Sequence, residues 1–161
     1  MLEIKEIQEN QFDEIWPIFQ DVVKDADSYP YSPDITKEEA KKLWFSSDAH
    51  VYVAYLDDQP VATRYIAPNK VGLGNHIANT GVMIDKKYRR RSLGKAMMEF
   101  AIKKATELGY RAIQVNLVLC TNTASVKICK EYGFKIVGTI PDAFHYKKEK
   151  YVDAYIMYRA L

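Results

Sequence analysis

Cysteine is scarce in this 161-residue chain, which has only two, Cys120 and Cys129. A disulfide between them is possible on count, yet nothing points to a secreted, disulfide-stapled scaffold. A surplus of one charge is lacking as well: 23 lysines and arginines against 21 aspartates and glutamates leave a formal net charge of +2. That balance is too small to argue for a nucleic-acid partner, although a local basic cluster can still attract a phosphorylated molecule. No apolar run reaches the roughly 18 residues of a membrane span, and no signal peptide is recognisable. No set of His, Cys, Asp and Glu has metal-ligand spacing, so no metal is expected. With 7 glycines in all, the chain has neither the Walker loop nor the three-glycine dinucleotide fingerprint. The expectation is a soluble, cytoplasmic protein with no membrane, metal or nucleic-acid partner.

What is present is a hydrophobic content of 48% over a length that suits one domain, residues 1–161, enough to bury a core without metals or disulfides. The chain is organised around residues 82–108. There an apolar run ending in Met83 and Ile84 gives way to a basic turn, Arg89, Arg90, Arg91, and then to Ser92, Leu93, Gly94 and Lys95. Leu93, Ala96, Met97, Phe100, Ala101, Ala105 and Leu108 recur at helical spacing, and Gly109 stops the pattern. Strand, anion-binding loop and helix is the reading. Unpaired N–H groups and the positive end of the helix dipole favour a phosphate at such a helix start. Taken alone, three arginines are usually a solvated charge run or a nucleic-acid patch.

Around this stretch the chain alternates strands and helices. Residues 2–7 alternate apolar and charged positions as a short edge strand does. A helix over 12–23 follows, with Pro17 marking a kink or a restart. Residues 27–34 hold two prolines, Tyr29 and Tyr31, and read as a loop. A second helix over 35–45 is capped by Thr36 with Glu39 as its capping-box partner. Strands over 51–56 and 61–66 form a hairpin through residues 57–60, and 67–75 is a turn. Gly81 interrupts the strand over 76–84, a sign of a bulge or a close backbone approach. The strand over 112–119, reached through a helix, is expected parallel to it. A helix over 122–132, capped by Thr121 or Asn122, ends at Gly133; strands over 134–140 and 152–158 flank a charged loop over 141–150.

The loop at Arg89–Gly94 resembles the acetyl-CoA signature of the GNAT family of N-acetyltransferases, Arg/Gln-x-x-Gly-x-Gly/Ala. Arg89 fills the first position, Gly94 the last, and Ser92 stands where the first glycine is expected. A second run, Asn122-Thr123-Ala124-Ser125 through Tyr132-Gly133-Phe134, resembles the family's asparagine-led helix. The order of elements is similar too, over nearly the whole chain. The resemblance implies an α/β fold in one GNAT domain: a mixed central sheet of six to seven strands flanked by helices, with splayed fourth and fifth strands. It implies acetyl-CoA as cosubstrate, held by Arg89, Arg90, Arg91, Ser92, Leu93, Gly94 and Lys95 at the diphosphate. Met83, Ile84, Asn122 and Ser125 would hold the pantetheine arm and acetyl group.

For proton transfer the same resemblance puts a tyrosine seven residues after the asparagine, where this chain has Cys129. A thiol can donate a proton to a departing thiolate, but Cys129 also falls on a packing face with Ser125, Ile128 and Tyr132. The glutamate that many relatives carry on the fourth strand is absent; His76 is the remaining candidate base, although an inert, hydrogen-bonded histidine at a strand start is the favoured reading of that position. Asn79, Asn116 and Asn122 resemble the asparagines of the L-azetidine-2-carboxylate (proline-analogue) acetyltransferases, which implies that Asn79 and Asn116 recognise the acceptor. Tyr29, Tyr31, Arg64 and Tyr65 are expected at the acceptor mouth. The functional expectation is acetyl transfer to a small-molecule amine, an amino acid or analogue, by direct transfer in a ternary complex. The alternatives are a non-catalytic acyl-CoA-binding module and an acetyltransferase acting on a protein or peptide amine. Pairing of a second copy through the late strands makes a homodimer an option.

Overall fold

A computed structural model describes residues 1–161. Seven strands form one sheet: β1 (Leu2–Ile7), β2 (His50–Leu56), β3 (Gln59–Pro68), β4 (Ile77–Ile84), β5 (Ala112–Leu119), β6 (Lys135–Tyr146) and β7 (Lys150–Ala160). Their order across the sheet is β1-β2-β3-β4-β5-β7-β6. All neighbours are antiparallel except β4 and β5, joined through α3 (Leu93–Glu107) and parallel as a helical crossover requires. That one parallel pairing is short. It covers Ile77↔Ala112, Ala78↔Ile113 and Asn79↔Gln114, after which the strands part. The wedge so formed runs beside the second half of β4.

Two helices cover each face. On one, α1 (Trp16–Lys24) and α2 (Lys37–Trp44) bury Phe12, Phe19, Val23 and Trp44 against Val53 and Met83. On the other, α3 and α4 (Thr123–Glu131) bury Met97, Met98, Ala101 and Cys129 against Ala62, Ala78 and Ile113. No helix is long and apolar enough to cross a membrane.

Several expectations resolve here. Pro17 marks a restart: a 3-10 turn over Glu9–Glu14 ends and α1 begins with the proline in its first turn, where its missing N–H costs nothing. Thr36 caps α2 and Glu39 returns the bond. Gly81 is no bulge, since β3 and β4 pair through it in unbroken register. It answers a close approach instead: a Cβ there would lie 2.6 Å from Tyr65 Cε1 and 3.0 Å from the Tyr29 hydroxyl. The first hairpin turns on Asp57 and Asp58 alone, both at positive φ, with Gln59 and Pro60 already in β3.

The charged segment 141–150 is the largest correction. It is strand rather than loop, because β6 continues to Tyr146 and pairs Phe144, His145 and Tyr146 with β7. Pro141 is tolerated since β6 is an edge strand whose register breaks between Ile140 and Phe144. Lys147 N–H then bonds Ala26 O at 2.7 Å, tying this hairpin's turn to the loop after α1. Both cysteines are free thiols.

Candidate functional site

Alternation along the strands sorts the side chains near the wedge onto its two sides. Asn79, Gly81 and Met83 face α1 and α2; Ala78, Thr80, Val82 and Ile84 face α3 and α4. Tyr65 joins the first set and Arg64, its neighbour on β3, the second. Arg64 therefore does not line the acceptor mouth with Tyr65. Consecutive residues of one strand cannot share a face.

At the basic end, α3 opens with Ser92 in the left-handed region, φ 60° and ψ 12°. Arg90 also has a positive φ, 66°. A non-glycine residue there costs about 1 kcal/mol, so the departure from glycine at Ser92 leaves the loop's backbone path intact at some strain. The first intrahelical bond runs from Ala96 N to Ser92 O, which leaves the N–H groups of Leu93, Gly94 and Lys95 pointing out of the helix start. Arg89, Arg90, Arg91 and Ser92 are exposed around it. Neighbouring carboxylates are taken by lysines: Asp21 and Asp25 by Lys86, Glu131 by Lys95. Arg91 lies over the Tyr88 ring at 5.3 Å. Leu93 is buried, so of this residue only the backbone faces out. Gly94 packs against α4, where a Cβ would meet Ile128 Cδ1 at 2.9 Å. The arrangement suits an anion with several oxygens.

Within the wedge the backbone of β4 offers hydrogen-bonding groups. Asp85 N–H bonds Val61 O on β3, so by the antiparallel alternation Met83 also turns its N–H toward β3 while Val82 and Ile84 turn theirs to the open side. Met83 is thus a core side chain, 1% exposed, and Val82 and Ile84 are the backbone donors. The Val82 groups are engaged: the Tyr29 hydroxyl accepts from Val82 N–H at 2.7 Å and donates to Val82 O at 2.6 Å. Tyr29 stacks on Tyr31, with centroids 5.7 Å apart, and meets Trp44 edge-on. Burial pushes the Tyr29 phenol well above its ordinary range, and that of Tyr31 upward. Both are neutral donors at physiological pH.

Toward the acceptor side lies a set of amides from separate elements. Asn79 Oδ1 accepts from the Tyr65 hydroxyl at 2.7 Å, and Asn79 Nδ2 donates to Gln114 O at 3.0 Å, across the last paired rung. Gln114 Nε2 donates to Asn116 Oδ1 at 3.0 Å, and Asn116 Nδ2 donates to Asn69 Oδ1 at 2.7 Å. A head-to-tail chain of amides keeps an acceptor at one end and donors at the other. Such ends suit an ammonium and a carboxylate. Asn69 and Gln114 escaped the sequence reading, since neither belongs to a motif. Only the alternation of β5, which puts Gln114 and Asn116 on one face, could have paired them.

On the far side, Arg64 is 2% exposed. Nη1 donates to Thr80 Oγ1 at 2.8 Å, and Nε finds no acceptor. Cys129 lies close enough to interact with it electrostatically. Burial raises the thiol of Cys129, opposed by Arg64 and Ser125, which makes it a weaker proton donor than an ordinary thiol. Tyr132 is turned away, its hydroxyl donating to Glu99 at 2.6 Å. Asn122 caps α4 by accepting from Ser125 N–H at 3.2 Å, leaving its amide N–H groups free. His76 is exposed one residue before β4, at the end where β4 and β5 are paired. No three His, Cys, Asp or Glu residues group as a metal site would need.

Comparison with known proteins fits this geometry. Residues 9–134 match the model of the acetyltransferase (GNAT) family. The chain is 34% identical over 93 residues to N-acetyltransferase aca1 of Schizosaccharomyces pombe, covering 57% of this chain and 44% of that protein. It is 30% identical over 108 residues to L-amino acid N-acetyltransferase AaaT of Escherichia coli, covering 66% of this chain and 65% of that one. Each match thus spans less than two thirds of the relative's length. The solved structure of a GCN5-related N-acetyltransferase from Kribbella flavida superposes with a TM-score of 0.92 at 33% identity, covering 99% of this chain and 98% of that one. With a parallel β4–β5 pair that opens beside an arginine-rich helix start, the chain belongs to the GNAT acetyltransferase family.

Proposed function

We propose that this protein is an acetyl-CoA-dependent N-acetyltransferase for small primary or secondary amines, with free amino acids and cyclic analogues as the acceptor class. The observation that carries this reading is the parting of β4 and β5 after Asn79, with an anion-binding helix start near one end of the gap and an amide chain at the other. Acetyl-CoA fits the residues present. Leu93, Gly94 and Lys95 N–H groups with Arg89, Arg90, Arg91 and Ser92 would hold its diphosphate; Ile84, Asn122 and Ser125 would flank its arm. Bound there, it supplies an activated acetyl thioester.

The protein's part is then placement, polarisation and proton management. Val82 N–H is the donor aimed into the wedge, and Tyr29 is the group that must yield it or share it. Asn79 and Asn116, with Asn69 and Gln114, orient the acceptor's amine and carboxylate. An acceptor held by the amides and a thioester held in the same gap would support direct transfer within a ternary complex. The name of the Escherichia coli relative, an L-amino acid N-acetyltransferase, supports the acceptor class. No carboxylate takes the place of a base, and His76 stands beyond the closed end of the β4–β5 pair, so water receives the amine proton.

One observation favours a second reading. Tyr29 saturates both Val82 backbone groups, as expected of a module that retains acyl-CoA without turnover. Thiol release from acetyl-CoA against a panel of amino acids, proline analogues, polyamines and peptides decides: turnover with amino acids or analogues supports the enzyme, turnover with peptides alone moves the acceptor class, and coenzyme retention with no release supports the module.

A further inference from the structure

Arg64 is a buried cation with no anion. It is 2% exposed, its only hydrogen bond goes to a neutral hydroxyl, and its Nε reaches no acceptor. The titratable groups near enough to act on its charge are Tyr29 and Tyr65, across the sheet, and Cys129 on its own side, all protonated and neutral at physiological pH. Burial lowers the guanidinium only to about 10, so it keeps its charge. An uncompensated buried charge costs several kcal/mol and is retained where a counter-charge arrives.

Its place says which charge that is. Arg64 is paired with Val82 across β3 and β4, the residue whose backbone turns into the wedge, and its side chain lies on the α4 side with Cys129. The groups that could protonate a leaving sulfur are weakened or engaged elsewhere: burial makes the Cys129 thiol a weaker donor, Tyr132 is bonded to Glu99, and Tyr29 to Val82. Resting on the acetyltransferase reading above, we infer that the Arg64 guanidinium, anchored by Thr80 of β4 on the α4 side of the sheet, is a catalytic residue that receives the negative charge of the departing CoA thiolate. In the transfer the acceptor nitrogen bonds to the acetyl carbon, the carbon–sulfur bond breaks with its electron pair going to sulfur, and the surplus amine proton passes to water. Arg64 gives up no proton; it stabilises sulfur as the anion until solvent protonates it.

The test is the titration of CoA on the enzyme, followed by thiolate ultraviolet absorbance. In the wild type the midpoint falls about 1–3 pH units below that of free CoA. Arg64→Met returns it to the free value while CoA still binds; Arg64→Lys keeps part of the fall. Turnover in Arg64→Met drops about 10²–10³-fold with little change in the KM for acetyl-CoA. A wild-type midpoint equal to that of free CoA, or an unchanged fall in Arg64→Met, overturns the inference and leaves the acetyltransferase reading standing. Failure of the wild type to bind CoA overturns both. Should Arg64→Met not fold, the wild-type midpoint still decides.

Discussion

The protein handles positive charge in two opposite ways. Arg89, Arg90 and Arg91 stand in water at the mouth of α3, backed by unpaired N–H groups, whereas Arg64 is enclosed with one hydroxyl for company. Exposed charges interact weakly, are screened by salt and cost nothing to keep. An enclosed one is costly, barely screened, and strong toward whatever charge comes near. The first arrangement suits capture of a permanently charged ligand from solution. The second suits a charge that exists only during reaction.

This contrast can be broken by substitution. Arg64→Met should give the largest effect, the loss of turnover described above, while thermal melting stays level or rises because an unpaired buried cation is gone; a large fall in melting temperature would make Arg64 a structural tie. Gly94→Pro should cut CoA affinity by about tenfold or more by removing an outward N–H, and calorimetry showing wild-type affinity would displace the diphosphate from α3. Replacing Arg89, Arg90 and Arg91 together by alanine should weaken CoA binding about tenfold at low salt, and by much less at high salt. Asn116→Ala should raise the acceptor KM by about fivefold with CoA affinity unchanged; equal loss of both would make the amide chain structural. Smallest of all, Ser92→Gly should stabilise the fold by about 0.5–1 kcal/mol in denaturant titrations, by relieving the left-handed serine.

Legibility followed locality. The Thr36–Glu39 capping box, the stop at Gly133 and the arginine loop were readable because each is made within a few neighbouring residues. Arg64 was misplaced because its meaning lies in what closes over it, from Thr80 and Cys129, far along the chain. The amide chain draws on Asn69, Gln114 and Asn116, and only strand register brings them together. In β6, the charge of residues 141–150 argued for a loop, and cross-strand pairing with β7 outweighed it. The family motif pointed to the neighbourhood of Met83, but the phase of β4 turns the Met83 N–H toward β3 and that of Val82 to the open side.

Three rungs, Ile77 to Asn79 on β4, hold the two halves of the sheet to each other directly, and the last is pinned by the Asn79 amide on Gln114. Mechanically, this makes the molecule a pair of tongs with its rivet at one end. Loosening that rivet, as Asn79→Ala would by removing its amide, should be felt first at the open tips, where Val82 and Ile84 stand.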